Sequence, residues 1–188
     1  AYWLDTTKTG EDANKAKNTN TKIKQTKAHK MEKIAELYKR WKGTAPAMMA
    51  QLPEAGSNRK YYRLTGEDGE SVIGVVGNSR DENHTFIYLT HHFTERRLPV
   101  PRILAVDDDE LRYLQTDLGS TSLFDVLRVG RESGGRYNMH EKQLLTAVIR
   151  ELPNIQIRGA RGLDWQVCYP QPEFDVDSVL FDLNYFKY

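Results

Sequence analysis

From residue 31 onward, apolar positions recur at spacings that divide the chain into short elements, whereas residues 1–30 show no such period. Ile34, Leu37, Tyr38 and Trp41 fall on one helical face and Gly43 follows them, so a short amphipathic helix is predicted over Met31–Lys42. Pro46 and Pro53 bracket Ala47–Leu52, a predicted first strand. Lys60–Thr65 is a second, and the turn Gly66-Glu67-Asp68-Gly69 joins it to a third at Ser71–Val76. A helix from about Asp81 to Arg97 follows, with Phe86, Leu89, Thr90 and Phe93 as its buried face and Pro99 and Pro101 ending it. Arg102–Val106 and Leu111–Thr116 read as a hairpin around Asp107-Asp108-Asp109. The sum is an α+β order: five strands in an antiparallel sheet, with one helix inserted after the third.

Past Thr116-Asp117-Leu118-Gly119 the pattern turns helical. Leu123, Phe124, Val126 and Leu127 predict a short helix, and Gly130–Asn138, rich in glycine and charge, a mobile loop. Leu144, Leu145, Val148, Ile149 and Leu152 form a helical stripe that Pro153 is expected to close. Asp175–Tyr188 places Val176, Val179, Leu180 and Leu183 on one face, with acids in the first turn and Lys187 near the end, as a helix dipole favours. Its aromatic end is expected to want a partner surface. The chain therefore divides into residues 1–30, a tail; 31–117, the strand-rich lobe; and 118–188, a linker with the first helices of an incomplete second lobe.

Composition narrows the field. The tail holds seven lysines and little apolar content beyond Trp3 and Leu4, too little to offset its ordering entropy, so disorder is expected there. The full chain carries 27 basic and 26 acidic residues, a net charge of +1, which gives no global reason to expect nucleic acid or an anionic membrane as partner. A nucleic-acid adaptor would rest on the tail alone. The lone Cys168 excludes an internal disulfide and fits a reducing compartment. With no apolar run near the roughly 20 residues that span a bilayer and no signal-like start, a cytoplasmic location is expected.

Candidate chemistry concentrates in Ala55–Leu64, AGSNRKYYRL. Phosphates are held by converging donors without steric bulk, backed by cations. Gly56 and Ser57 permit close approach, Asn58 with Arg59 or Lys60 offers side-chain donors, and Tyr61, Tyr62 and Arg63 alternate along the following strand. An ordinary basic hairpin has the same make-up. The companion feature is Thr116–Gly119, a strand-to-linker junction of the kind on which a nucleotide base sits.

Taken in order, AGSNRKYYRL, SVIGVVG, ENHTFIYLTHHF, LPVPRILAVDDDELRYLQTDLGSTSL and the terminal DLNYFKY resemble the aminoglycoside phosphotransferase family, and within it the cell-wall amino-sugar kinases. The resemblance spans about Met31 to Tyr188. It implies a protein-kinase-like N-lobe followed by a hinge, with ATP or GTP and Mg²⁺ held between lobes. On that reading Gly56, Ser57, Asn58 and Arg59 lie over the phosphates, the backbone of Asp117, Leu118 and Gly119 receives the base, Leu118 walls it, and Leu52 and Ile73 cover the ring. The acceptor implied is a sugar or amino-sugar hydroxyl, bound in the full protein.

Two departures temper this. The third strand reads Val72-Ile73-Gly74-Val75-Val76 without the lysine that grips the α- and β-phosphates, leaving Lys60 or Arg63 as substitutes and Glu82 as an exposed helix-start carboxylate. The family's His-x-Asp and Asn, and its separate Asp, have no counterpart; Asp164, Asp175, Asp177 and Asp182 sit in helix starts and loops. The chain as given is thus expected to be a fragment that positions nucleotide but does not turn over. A rival reading is a non-catalytic kinase-like module that senses nucleotide or binds a partner. The other chemistry-bearing residues read as structural. His84 and His91 are roughly 10 Å apart along a helix, too far for one metal ion. Asp107–Asp109 lacks the glycine and glutamate of a calcium loop. Cys168 reads as a half-buried small residue and Trp165 as packing.

Overall fold

The structure, a computed structural model, describes residues 28–53, 58–173 and 175–186. Helix α1 covers residues 28–42. It thus includes three residues assigned from composition to the tail; the rest of that expected disorder, and the turn residues Gly56 and Ser57, lie outside the described residues. Strands β1 (Met48–Gln51), β2 (Lys60–Thr65), β3 (Ser71–Val76), β4 (Ile103–Val106) and β5 (Arg112–Thr116) form one sheet in the order β1-β2-β3-β5-β4. Every pairing is antiparallel. The fold is therefore mixed α+β, as the pattern of strands predicts. The first, fourth and fifth strands are shorter than expected, although the Ala47 and Leu52 N–H groups still donate to the Thr65 and Tyr61 carbonyls, at 2.9 and 2.8 Å.

Alternation sorts the side chains between two layers. Tyr62, Leu64, Val72, Val76 and Leu114 face α1 and bury its Ile34, Leu37 and Tyr38. Ile73, Val75 and Tyr113 face the other way, onto helix α2 (Arg80–Glu95) and its Ile87. Ser79 caps α2 by accepting from the Glu82 N–H, and Asp81 and Glu82 occupy the first turn, where the dipole favours acids.

The buried face of α2 differs from the expected one. Its fully buried residues are Asn83, Thr85, Ile87, Thr90 and His92, whereas Phe86, Leu89 and Phe93 are half-buried. The helix is covered on two sides, by the sheet and by the segment 159–169. Thr85 donates to the Val167 carbonyl (2.8 Å) and accepts from the Tyr169 N–H (3.0 Å). His92 Nε2 meets the Gly159 carbonyl at 2.8 Å, and the Asp164 N–H donates to Tyr88 at 2.7 Å. Polar residues are buried at no large cost once each has such a partner.

Beyond the sheet come α3 (Leu123–Val126), α4 (Arg128–Glu132), α5 (Met139–Pro153), a π-helical turn (Asn154–Arg158), a 3-10 turn (Trp165–Val167) and α6 (Val176–Tyr185). Two expectations are corrected. Gly130 lies inside α4, buried, with its N–H on Glu141 Oε1 at 3.1 Å, so the loop is confined to residues 133–138. Pro153 closes α5 as expected, and the chain winds on through a separate π turn closed by Gly159 N–H to the Asn154 carbonyl (3.0 Å). Trp165 is 49% exposed rather than packed. Asp164 and Asp175 cap their helical turns as their setting predicts, and the apolar residues of α6 are exposed.

Candidate functional site

The α2-side face of the sheet is unevenly covered. Register places Ala50, Arg63 and Ile73 in one transverse row and Tyr61, Val75 and Tyr113 in the next. Helix α2 lies over the second row, where Phe86 stacks on Tyr113 with centroids 5.4 Å apart. Toward β1 the same face opens: Met48 and Ala50 are exposed, and Leu52 and Tyr61 half-buried. Leu52 and Ile73 thus share one face, but Ile73 is buried in the core beneath it and only Leu52 is half-open. The open area ends near Arg59 on one side and at residues 117–119 on the other.

Arg59 enters at the first of these ends. Its guanidinium donates to the Glu82 carbonyl (3.1 Å) and lies 5.1 Å from the centre of the Phe86 ring, which holds it against the first turns of α2. On β3 the position facing α2 is Val75, fully buried between Tyr61 and Tyr113, so the strand itself presents no cation there.

Asp117 forms the other end. Its carboxylate accepts from Arg63 Nε (2.6 Å) and Nη2 (3.1 Å), from the Ser71 hydroxyl (2.8 Å) and from the Gly119 N–H (2.9 Å). Arg63 Nη2 also donates to the Gly119 carbonyl at 3.1 Å. The Arg63 hydrogen bonds are the largest influence on this carboxyl and hold it below the usual carboxylate range; burial opposes them, and the Gly119 and Ser71 donors add to them. Gly119 has φ +94° with open space where a Cβ would stand, so glycine serves the left-handed backbone here rather than close packing.

The sequence-derived residues separate on this geometry. Arg59 and Arg63 lie on the α2 side of the sheet, whereas Lys60, opposite Val76, belongs to the α1 side. A strand's two-residue period makes these neighbours incompatible as joint ligands of one group. Arg63 is committed to the linker, and both backbone groups of Gly119 are engaged there. Leu118, 73% exposed, remains presented to solvent. Asn58 is exposed and accepts through its carbonyl from the Asn78 side chain at 3.2 Å. Reasoning from sequence missed Ser71, Tyr113 and Gln115, although alternation along β3 and β5 already aligned them with Ile73. The Tyr113 hydroxyl and Gln115 Oε1 are buried without a partner among the described residues. Burial pushes the Tyr113 hydroxyl well above its ordinary pKa. Tyr113→Phe is accordingly expected to leave stability unchanged or raise it by up to about 1 kcal/mol, measured by urea unfolding.

Elsewhere, a cavity of about 700 Å³ between α1 and the 107–109 turn is lined by Lys33, Glu36, Arg40, Asp107 and Arg112 among others. Its charges answer one another: Arg40 and Arg112 both hydrogen-bond Asp107, the latter at 2.6 Å. Among the described residues no group of three His, Cys, Asp or Glu side chains could hold a metal ion, and no helix is long and apolar enough to cross a membrane. No protein-family model matches this chain, and no curated protein does.

Proposed function

We propose that this chain is the nucleotide-binding portion of an ATP-dependent small-molecule phosphotransferase, with a protein-kinase-like N-lobe at residues 31–117. The observation that carries the reading is the sheet order β1-β2-β3-β5-β4 with α2 inserted between β3 and β4, which leaves one sheet face open between a hairpin and a linker. A purine would lie on that face against Leu52, with Leu118 beside it and its edge toward the backbone of Asp117 and Leu118, since Gly119 and the Thr116 N–H are already engaged. Arg59 then takes the phosphates in place of a third-strand lysine, and Arg63 serves the linker instead. Mg²⁺ would accompany the triphosphate; the described residues supply no carboxylate set for it. The phosphoryl acceptor, a sugar or amino-sugar hydroxyl, rests on the sequence resemblance alone.

The test is thermal unfolding of the full chain with MgATP at 5 mM, about 1–3 °C of stabilisation being expected. Arg59→Ala should abolish the shift while Lys60→Ala keeps it. No shift in the unmodified chain removes nucleotide binding; an unchanged shift in Arg59→Ala removes Arg59 from the site. The fully buried Val75 favours a second reading, a module that binds nucleotide or a partner without catalysis. Phosphoryl transfer by the natural full-length protein would decide against it.

A further inference from the structure

A second concavity lies where α2 ends. A cavity of about 460 Å³ is lined by Thr94, Arg97, Leu98, Val100, Arg102 and, from the linker, Thr116 and Leu118. Its walls divide by chemistry. Leu98, Val100 and Leu118 are apolar, Arg97 and Arg102 are cationic, and among the described residues no carboxylate lines the space. The neighbouring arginines are employed otherwise: Arg96 donates to the Arg161 and His92 carbonyls and Arg158 to the Arg96 carbonyl. Thr94, also on the wall, keeps a buried hydroxyl with no partner among the described residues.

Arg97 stands at a position that ordinarily selects another residue. The Leu98 N–H bonds to the Phe93 carbonyl (3.0 Å) and the Arg97 N–H to the Thr94 carbonyl (2.9 Å), the paired bonds that end a helix with a left-handed residue between them. That residue is Arg97, at φ +57°, where glycine is favoured because a Cβ is crowded. Arg97 occupies that strained backbone position and lines the cavity.

We infer that this cavity is a binding site for a small ligand carrying a phosphate group on an apolar body. The phosphate would lie between the Arg97 and Arg102 guanidiniums, whose planar donor sets match its oxygens, and the Thr94 hydroxyl would donate to it. Leu98, Val100 and Leu118 would cover the apolar part. The site shares Leu118 with the proposed purine site, but Thr94, Arg97 and Arg102 belong to it alone, and phosphate binding there does not require nucleotide on the sheet face.

Phenyl phosphate, inorganic phosphate and benzoate are titrated into the full ¹⁵N-labelled chain and followed by amide shifts. Saturable shifts of Thr94–Arg102 and Thr116 are expected, with phenyl phosphate at least about threefold tighter than inorganic phosphate, from burial of the ring. Benzoate binding as well as phenyl phosphate would replace the phosphate by a carboxylate and overturn that part of the assignment. Arg97→Gly and Arg102→Gln should each weaken phenyl phosphate at least about tenfold. Arg97→Gly should also raise Tm by about 1–3 °C, because it relieves the left-handed strain, so lost binding in that variant cannot be lost folding. Undiminished binding in Arg97→Gly, or no saturable shift with any of the three probes at about 20 mM, overturns the inference.

Discussion

Asp117→Ala is expected to cost about 3 kcal/mol, or about 6–12 °C in Tm for a chain of this size. The side chain is 7% exposed and accepts from three different groups, two of them on other strands. Removing it leaves the Arg63 guanidinium, itself largely covered, without its counter-charge and the Ser71 hydroxyl without an acceptor. Asp117→Asn keeps the volume and part of the hydrogen bonding, so about half of the loss is expected. Urea unfolding of the two variants, with Arg63→Ala and the double variant completing a cycle, measures the coupling directly. The same carboxyl sets an acid limit. Its pKa is depressed in the folded chain, so its contribution is complete above the unfolded value of about 4 and is lost as pH falls through the folded value. Asp107 adds to this: burial pushes its carboxyl up, but hydrogen bonds from Arg112 and Arg40 together outweigh burial and hold it down. Stability should therefore fall steeply below about pH 4, and less steeply in Asp117→Ala.

The second large effect is expected at Gly77→Ala, about 2–3 kcal/mol. Gly77 follows β3, and a Cβ there would stand 2.4 Å from Asn83 Nδ2, 2.5 Å from Oδ1 and 2.8 Å from Cγ. Asn83 cannot swing aside, being fully buried with Nδ2 donating to the Glu110 carbonyl at 2.8 Å. The added methyl must therefore displace the start of α2. That is the part of the helix carrying Phe86 and the Glu82 carbonyl, so Arg59 would lose its seat too. Shortening the opposing side chain should relieve the clash: Gly77→Ala with Asn83→Ala is expected to be less destabilised than the sum of the two single variants by about 1 kcal/mol. Additive losses in urea unfolding would mean that the two residues do not meet.

The sheet was legible where local chemistry and tertiary need agree. β2 and β3 occur as Lys60–Thr65 and Ser71–Val76 because alternating aromatic and β-branched residues flank a turn closed by Gly69. The face of α2 was not legible. A single apolar stripe assumes a single neighbour, whereas α2 has two, and Thr85 and His92 are buried through bonds to carbonyls more than sixty residues away. Pro153 was legible as the end of α5, but nothing in the sequence marks the wider π turn that follows it. At the site, composition picked out Arg59, Lys60 and Arg63 as equals. Only pairing register separates them, since it puts Lys60 on the α1 side and brings Arg63 to an aspartate 54 residues away. Tyr113 and Gln115 escaped notice because buried polar atoms without partners carry no sequence signal.

The central claim is that nucleotide occupies the open sheet face between the β1–β2 hairpin and the linker. Amide spectra of the ¹⁵N-labelled chain titrated with MgATP test it most directly. Saturable shifts are expected in Asn58–Arg63, Ile73 and Thr116–Gly119 together, with α5 and α6 unmoved. Absent shifts, or shifts that leave Asn58–Arg63 and Ile73 unmoved, would contradict it.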